Sequence, residues 1–363
     1  MSLELESLGW GPDLGHAFTV LLSESSLPLV PGRVVRQARG LLSVQTSGRV
    51  FLARTAGRLL HEAPGAEALP TIGDWVALQL PSGDGEALLH AVLPRRGVLA
   101  RREAGSERDV QLIAANLDVV FLVTGLDDNY NPRRIERALA VAWNSGAAPV
   151  VVLSKADLHP DVPERVQEVE ALAPGVPVIA LSAHTGEGVE ALRALLPAGK
   201  TGALLGSSGV GKSTLVNLLL GEERLATQAV SEEDGRGRHT TTHRELFVLP
   251  WGGLLIDAPG LRELGLWGDE EGVDQAFSDI LALAEGCRFS DCQHQGEPGC
   301  AVHAAVAAGE LPRARLDSFD KLRRERAYLA RQTDAAAQRE HKRVMRNLSR
   351  AGAEGARFKR RGG

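Results

Sequence analysis

An eight-residue stretch, GSSGVGKS at 206–213, has the composition of a loop that binds phosphate. It matches the pattern G-x-x-x-x-G-K-[ST]. A short apolar run, TGALL at 201–205, precedes it and can form a strand, and TLVNLLL at 214–220 can form a helix. In such a context the backbone N–H groups of the loop and the helix N-terminus suit phosphate oxygens. The stretch therefore predicts a nucleotide phosphate site. The alternative is a glycine-rich turn that binds no ligand.

Residues of this stretch have separate chemical roles in the predicted site. Lys212 can reach the β- and γ-phosphates, and the Ser213 hydroxyl can bind Mg²⁺. The glycines allow backbone angles and close approaches that a Cβ atom would block. The residues expected to contact the nucleotide are Gly206, Ser207, Ser208, Gly209, Val210, Gly211, Lys212, Ser213 and Thr214.

A D-x-x-G sequence follows a second apolar run. It begins at Asp257 and ends at Gly260, directly after GLLI at 253–256. At the end of a strand, such a motif can direct Asp257 toward Mg²⁺ and the Gly260 N–H toward a γ-phosphate. We therefore predict Asp257 as a magnesium residue and Gly260 as part of the catalytic region, together with Lys212.

Two more motifs have the chemistry to recognise guanine. The sequence SKAD follows the predicted strand PVVVL at 149–153. Its aspartate can accept hydrogen bonds from N1–H and the 2-amino group of guanine, and the lysine stem can cover the base. Ser182 and Ala183 follow the strand VIAL and can present a backbone amide to the guanine O6. The predicted base-contacting residues are Ser154, Lys155, Ala156, Asp157, Ser182 and Ala183.

Each short motif is weak evidence alone, but all four lie at the carboxyl ends of predicted strands. Open α/β sheets bind their ligands at that edge. The motifs come in an unusual order, because the two base-recognition motifs precede the phosphate loop and D-x-x-G follows it. This order predicts a circularly permuted GTPase domain, in which the spatial site is unchanged.

Around the motifs, strand and helix patterns divide the chain. Five short β-prone runs between residues 34 and 93 are separated by Gly and Pro, which is typical of a small barrel of the OB type. Its only aromatic residues are Phe51 and Trp75, so any RNA contact would be mainly from Arg to phosphate. The alternative is a barrel that only docks on its neighbour. An Arg-rich connector at 95–102 follows, and strands then alternate with helices, which predicts a mostly parallel sheet with helices on both faces.

Charge is strongly segregated along the 363 residues, whose net charge is −5. Residues 31–102 carry ten Arg against five acids, and residues 321–363 carry fourteen Lys or Arg against four acids. Basic ends around an acidic centre are typical of nucleic-acid binding, although solvated helix faces would look similar. The chain has no apolar run of roughly 20 residues and no basic, apolar N-terminus, so we expect a cytoplasmic protein without a membrane span.

All three cysteines of the chain lie within a short segment that also contains histidine. Cys287, Cys292, His294 and Cys300 offer three thiolates and one imidazole, a complete set for tetrahedral zinc. Four protein ligands leave no open position, so we expect one structural zinc ion. His303 is a competing imidazole, and three unligated thiols are the alternative.

The chain resembles the ribosome small-subunit-dependent GTPase family, RsgA, also called YjeQ. The features that carry this resemblance are the barrel, the permuted motifs, the loop GRGRHTTT at 235–242 and the cysteine cluster. The resemblance covers residues 31 to at least 320. It implies a GTPase that acts late in maturation of the small ribosomal subunit, binds its rRNA near the decoding region, is stimulated by the subunit and helps to release an assembly factor. The family spacing favours His294 over His303. The family usually has Asn where this chain has Ser154, so this part of the base contact is altered.

Hydrolysis needs a group that orients water. Many GTPases have Gln directly after D-x-x-G, but this chain has Leu261, which cannot do so. His239 is our candidate, and the family resemblance supports it; the alternative is an exposed loop histidine. Thr241 or Thr242 is expected to bind Mg²⁺ together with Ser213 and Asp257. We therefore expect slow intrinsic GTP turnover and strong activation by a partner.

The fold class expected is multidomain α/β, with an N-terminal OB-type β-barrel, a circularly permuted P-loop GTPase domain and a C-terminal helical zinc-binding module. The expected boundaries are 1–30 for an N-terminal extension, 31–97 for the barrel, 98–283 for the GTPase domain, and 284–363 for the zinc module and a basic tail. We expect a monomer that binds GTP or GDP. Two other functions are a nucleotide-gated RNA-binding scaffold and a P-loop kinase for a small metabolite. Asp157 and D-x-x-G argue against the kinase.

Overall fold

The computed structural model describes residues 3–38, 41–102, 110–128, 130–223, 244–257 and 271–327. Within those ranges the strands are β1 (Leu29–Ala38), β2 (Leu41–Gln45), β3 (Val50–Thr55), β4 (Trp75–Gln79), β5 (Ala87–Val92), β6 (Val98–Arg102), β7 (Val110–Ala115), β8 (Val119–Gly125), β9 (Ala148–Ser154), β10 (Val178–Ala180), β11 (Thr201–Leu205), β12 (Arg244–Val248) and β13 (Leu254–Asp257). The helices are α1 (Leu3–Ser7), α2 (Pro12–Ser23), α3 (Gly57–Glu62), α4 (Pro132–Asn144), α5 (Val162–Leu172), α6 (Val189–Leu195), α7 (Lys212–Leu220), α8 (Glu271–Ala276), α9 (Ser278–Ala284), α10 (Ala301–Ala308) and α11 (313–327).

The first five strands form a closed barrel, as the sequence predicts. They pair in the order β1-β2-β3-β5-β4, and β4 pairs again with β1. Closure depends on the length of β1, because its first half pairs with β4 and its second half with β2. Side chains alternate between the two faces of β3, so Phe51 and Ala53 lie in the barrel interior. Trp75 is buried too, so neither aromatic of the barrel is available to stack on a base.

The nucleotide-type sheet has the predicted parallel core. Strands β10, β9, β8, β11 and β13 are parallel neighbours in that order. Every residue of β8 is buried. Val119, Phe121 and Val123 pack on the face that carries α6 and α7, and Val120 and Leu122 pack on the face that carries α4, α8 and α9. Helices therefore cover both faces.

Two strand features differ from the sequence-based expectation. The Arg-rich stretch expected to be a connector contains β6, which forms a hairpin with β7. The strand β12, which the sequence reading did not anticipate, runs antiparallel to β13 and pairs with β1 through Arg36–Glu245 and Gln37–Arg244. These strands carry charged residues and depend on their partners for pairing, so local patterns do not reveal them. Through β12, the barrel and the nucleotide-type sheet share one ladder of backbone hydrogen bonds.

The N-terminal residues are part of the core. Helices α1 and α2 lie in this segment, and Trp10 packs edge-on against Trp75, with ring centroids 4.8 Å apart. The Arg33 guanidinium, 1% exposed, donates to the Gly73 carbonyl at 3.2 Å, to the Thr201 hydroxyl at 2.8 Å and to the Leu8 carbonyl. Burial lowers the pKa of Arg33 to about 10, so it stays charged at neutral pH. One side chain thus joins the N-terminal residues, the barrel and β11.

The C-terminal helices pack on α4. Arg315 of α11 lies 6% exposed between Asp279 and Glu136, and Phe319 stacks at a tilt on Phe277, with centroids 5.3 Å apart. Helix α11 begins at residue 313, and the basic tail at 328–363 lies outside the described residues. No helix in the described ranges is long and apolar enough to cross a membrane.

Candidate nucleotide and metal sites

The sequence motifs lie along one edge of the sheet. Strands β10, β9, β11 and β13 end at Ala180, Ser154, Leu205 and Asp257, and each motif begins at that end or within two residues of it. Since these strands are parallel, their carboxyl ends lie at the same edge. The structure therefore brings the two base-recognition motifs, the phosphate loop and Asp257 to one side of the molecule.

The phosphate loop has the backbone that its glycines predict. A Cβ atom on Gly206 would lie 2.3 Å from the Val123 carbonyl oxygen, and Gly209 and Gly211 have φ angles of +81° and +90°. Ser208 and Gly209 are exposed at the tip, and Ser213 and Thr214 lie in the first turn of α7. The Lys212 ammonium donates to the carbonyls of Gly206 and Ser207 at 2.8 and 2.6 Å. The cation and the helix N-terminus thus face the same loop, as phosphate binding requires.

Ser154 ties the base-recognition loop to the phosphate loop. Its buried hydroxyl lies 2.7 Å from the Val210 carbonyl oxygen and 3.2 Å from that of Thr124. Its single hydroxyl is used in this bond, so the side chain has no second polar group to offer a base. Ser154 therefore joins the two loops through its side chain.

The rest of the base-recognition region is held by backbone bonds. The Ala156 N–H donates to the Leu181 carbonyl at 3.1 Å, which joins the SKAD loop to the Ser182 turn. The buried Ser182 hydroxyl accepts from the N–H groups of His184 and Thr185, and Ala183 is half-buried beside it. Asp157 is exposed at this edge, as a carboxylate that reads a base must be.

Asp127 was not singled out by the sequence reading. It follows β8, the strand between β9 and β11, and its carboxylate lies 2.5 Å from the Lys155 ammonium. The available signal was its position, because an acid directly after a buried strand lies at the same edge as the motifs.

A cavity of about 490 Å³ lies beside the phosphate loop and was also not anticipated. Gly206 and Ser207, the start of α4 and the α11 residue Lys321 line it. Arg134, from the first turn of α4, donates to the Ser207 hydroxyl at 3.2 Å. The C-terminal helix therefore reaches the neighbourhood of the phosphate loop, which no local sequence pattern indicated.

Part of the predicted magnesium and hydrolysis site lies outside the described residues. Ser213 and the half-buried Asp257 stand at the ends of α7 and β13. His239, Thr241, Thr242, Gly260 and Leu261 fall in 224–243 and 258–270, which the structure does not describe. Two oxygen donors of the type that Mg²⁺ prefers are thus at the expected edge.

The four predicted zinc ligands form one cluster. The Sγ atoms of Cys287, Cys292 and Cys300 and a ring nitrogen of His294 all lie within 4.8 Å of one another. Cys287 Sγ lies 3.9 Å from Cys300 Sγ, and His294 Nδ1 lies 3.7 and 3.5 Å from those two sulfurs. A tetrahedron with zinc bonds of about 2.0–2.3 Å has edges of about 3.3–3.8 Å. The donor set and its spacing therefore fit zinc.

At two of the four cluster residues, His294 and Cys287, the pKa shifts favour metal binding. Burial, aided by Arg323, lowers the pKa of His294, so the imidazole is neutral and can ligate. Burial opposes ionisation of Cys287, but hydrogen bonds from the backbone N–H groups of Val302 and Ala301 lower the pKa of that thiol. His303 bonds the His294 carbonyl at 2.8 Å through its Nε2 atom, so it supports the cluster from outside.

Comparison with known proteins gives a consistent result. The RsgA GTPase family matches residues 92–267. A relative from Opitutus terrae, named small ribosomal subunit biogenesis GTPase RsgA, is 51% identical over 92% of this chain and 92% of its own. A relative of the same name from Streptomyces avermitilis is 47% identical over 96% of this chain and 91% of its own.

Solved structures agree with this fold. The crystal structure of YjeQ from Thermotoga maritima is 28% identical, with a TM-score of 0.61, and covers 81% of this chain and 97% of its own. The structure of YloQ, a circularly permuted GTPase, has a TM-score of 0.57 at 24% identity and covers 85% of this chain and 96% of its own. That second likeness supports the fold alone.

Proposed function

The chain belongs to the RsgA GTPase family and is a GTPase, and we propose that it binds the small ribosomal subunit and assists its late maturation. In this proposal it hydrolyses GTP to GDP and phosphate, is stimulated by the subunit, and helps to release an assembly factor. We further propose that it acts in the cytoplasm as a monomer. The relatives named above are small ribosomal subunit biogenesis GTPases, which supports the choice of partner.

The observation that best supports the proposal is the bond between Ser154 and the phosphate loop. The Ser154 hydroxyl and the Val210 carbonyl oxygen are 2.7 Å apart, although 56 residues separate them in the chain. In this proposal, the contact keeps the loop of Asp157, which reads guanine, next to the loop of Lys212, which binds phosphate. In this proposal the base-recognition loop and the phosphate loop, connected in this way, form one nucleotide site in spite of the permuted order of the motifs.

Nucleotide binding divides among the residues by their chemistry. Asp157 accepts from the guanine edge, the Lys155 stem covers the base, and the Ser182–Ala183 turn presents backbone N–H to O6. The glycine loop and Lys212 bind the phosphates. Ser213, Asp257 and Thr241 or Thr242 would hold Mg²⁺, which neutralises charge on the phosphates.

His239 orients the attacking water in this proposal, because Leu261 has no polar group. Gly260 places its N–H at the γ-phosphate, and Lys212 stabilises charge that develops there. Turnover without a partner is then slow. Contact with the subunit brings His239 into position, which explains why stimulation is expected.

Cys287, Cys292, His294 and Cys300 would hold one zinc ion in a structural role. With four protein ligands the ion shapes the loop between α9 and α10 and takes no part in hydrolysis. Basic residues of the barrel and of the tail at 328–363 would contact rRNA phosphates. Affinity for the subunit is therefore expected to fall steeply with salt.

The test is phosphate release from GTP and from ATP, each with and without purified small subunits. We expect GTP turnover to rise by about tenfold or more with subunits, because the subunit completes the hydrolysis site. ATP turnover is expected to stay near background. A subunit-independent rate equal to the stimulated one would contradict it. His239→Ala separates hydrolysis from binding: subunits bound but not released indicate that hydrolysis is required, and normal release would favour the scaffold.

A further inference from the structure

Lys155 adopts an uncommon backbone conformation for a residue with a long side chain. Its φ and ψ angles are 60° and 36°, in the left-handed region. Such angles are disfavoured in a non-glycine residue and persist where surrounding contacts determine them. The conformation turns the chain between Ser154, at the end of β9, and Asp157.

The Lys155 side chain is held at its far end. Its ammonium lies 2.5 Å from Asp127 Oδ2, and the two side chains are 26% and 24% exposed. The Asp127 backbone carbonyl accepts from the Tyr130 N–H at 2.9 Å, and the Leu126 N–H donates to the Ser154 carbonyl at 2.9 Å. The residue before Asp127 is thus tied to the end of β9, and the Asp127 carbonyl is held within its own loop.

We propose that Asp127 is a positioning residue for guanine recognition, which acts by anchoring the Lys155 ammonium so that the lysine stem lies across the base. This inference rests on the proposed guanine site. The ion pair joins the carboxyl ends of β8 and β9, which are neighbours in the sheet. The stem between a fixed backbone and a fixed ammonium has little freedom left to lose when the base binds.

This anchor is important here because Ser154 is committed to the phosphate loop. Its hydroxyl bonds the Val210 carbonyl and is buried, so it offers the base no amide. The base is then held by Asp157, by the Ser182 turn and by the Lys155 stem. A defined position of that stem supplies contact area that the short side chain at 154 does not.

The test is a double-mutant cycle on the affinity for GDP and GTP, with ADP as the reference nucleotide. Asp127→Asn is expected to weaken binding of GDP and GTP equally, by roughly three- to tenfold for a partly buried lysine pair. Lys155→Met removes the group through which Asp127 acts. In that background, Asp127→Asn is expected to change neither affinity.

Two further variants keep the result decisive. Asp127→Glu retains the charge and is expected to bind within about twofold of the wild type, which a loss of fold would not allow. Asp118→Asn removes the carboxylate from another lysine pair, 2.8 Å from Lys200 at the opposite edge of the sheet, and is expected to leave nucleotide affinity unchanged.

The outcomes separate the inference from the proposed function. The positioning role would be overturned if Asp127→Asn bound GDP and GTP as tightly as the wild type. It would also be overturned if Asp127→Asn weakened binding in the Lys155→Met background as much as it does in the wild-type background. A Glu variant as weak as the Asn variant would overturn it as well. A wild-type chain that prefers ADP, or that does not distinguish GDP from ADP, would instead contradict the guanine site itself.

Discussion

The barrel and the C-terminal helices are attached to the nucleotide-type sheet in different ways. The barrel shares backbone hydrogen bonds with it through β1 and β12, and Arg33 reinforces this connection from within. The C-terminal helices meet α4 through side chains, with Arg315 bound to Glu136 and Arg137 bound to Glu325.

The difference indicates which part can move. A ladder of backbone bonds has one register, so the barrel and the sheet are expected to behave as one body. Side-chain ion pairs can exchange partners more easily, and α4 also carries Arg134 at the phosphate loop. The C-terminal helices are therefore the better candidates for a region that responds to the nucleotide.

Removal of the proposed zinc ion is the largest expected perturbation of this comparison. Structural zinc contributes about 10 kcal/mol or more to small zinc modules, so chelation should unfold the loop between α9 and α10. Hydrogen exchange followed by mass spectrometry should show lost protection there, with barrel protection and GDP affinity unchanged. Lost protection in the barrel would mean that the two attachments are not independent.

Arg315→Met should cause the next largest effect. It leaves Glu136, 2% exposed, and Asp279 without their guanidinium partner, and breaking a buried pair costs about 3–5 kcal/mol. Urea unfolding measures the change. The matched control is Arg313→Met on the same helix, whose pair with Asp317 is exposed and should be worth at most about 1 kcal/mol. Equal effects of the two variants would refute the buried junction.

Arg33→Met tests the barrel attachment. The change leaves the carbonyls of Gly73 and Leu8 and the Thr201 hydroxyl without their donor. A buried polar group that loses its partner costs about 1–3 kcal/mol of folding free energy. The free energy of unfolding should fall accordingly, while Arg36→Met, at an exposed position of the same strand, should change it little. If Arg33→Met lost protection from hydrogen exchange in the barrel but not in the sheet, the barrel and the sheet would not behave as one body.

Glu325→Gln should have the smallest effect. Its pair with Arg137 is about 30% exposed, so it contributes about 1 kcal/mol or less and is screened by salt. Urea unfolding at low and at molar salt should therefore show a difference between wild type and variant that shrinks as salt rises. A difference independent of salt would indicate packing and not charge.

The sequence predicted well those parts whose signals are local. Five barrel strands, the parallel core, the phosphate loop and the clustering of three cysteines with one histidine depend on alternation, glycine positions and residue spacing, which a short window contains. Helix α4 carries such local signals, because Asn131 caps it and Pro132 lies in its first turn.

Long-range contacts could not be predicted from the same signals. The pairing of β12 with β1 joins residues about 207 positions apart, as Gln37 and Arg244 show. The ion pair of Asp127 with Lys155 and the burial of Trp10 against Trp75 are of this kind too. Each needs the tertiary fold to bring its partners together, and no local periodicity carries that information.

The central claim is that Asp157 and the phosphate loop form one guanine-nucleotide site. The most direct measurement is the affinity of wild type and Asp157→Asn for GDP and for xanthosine diphosphate. Xanthine has a carbonyl in place of the guanine 2-amino group, so an Asn amide can donate where Asp accepts. The account predicts that wild type prefers GDP strongly and that Asp157→Asn prefers the xanthine nucleotide. An unchanged preference in the variant would contradict the site.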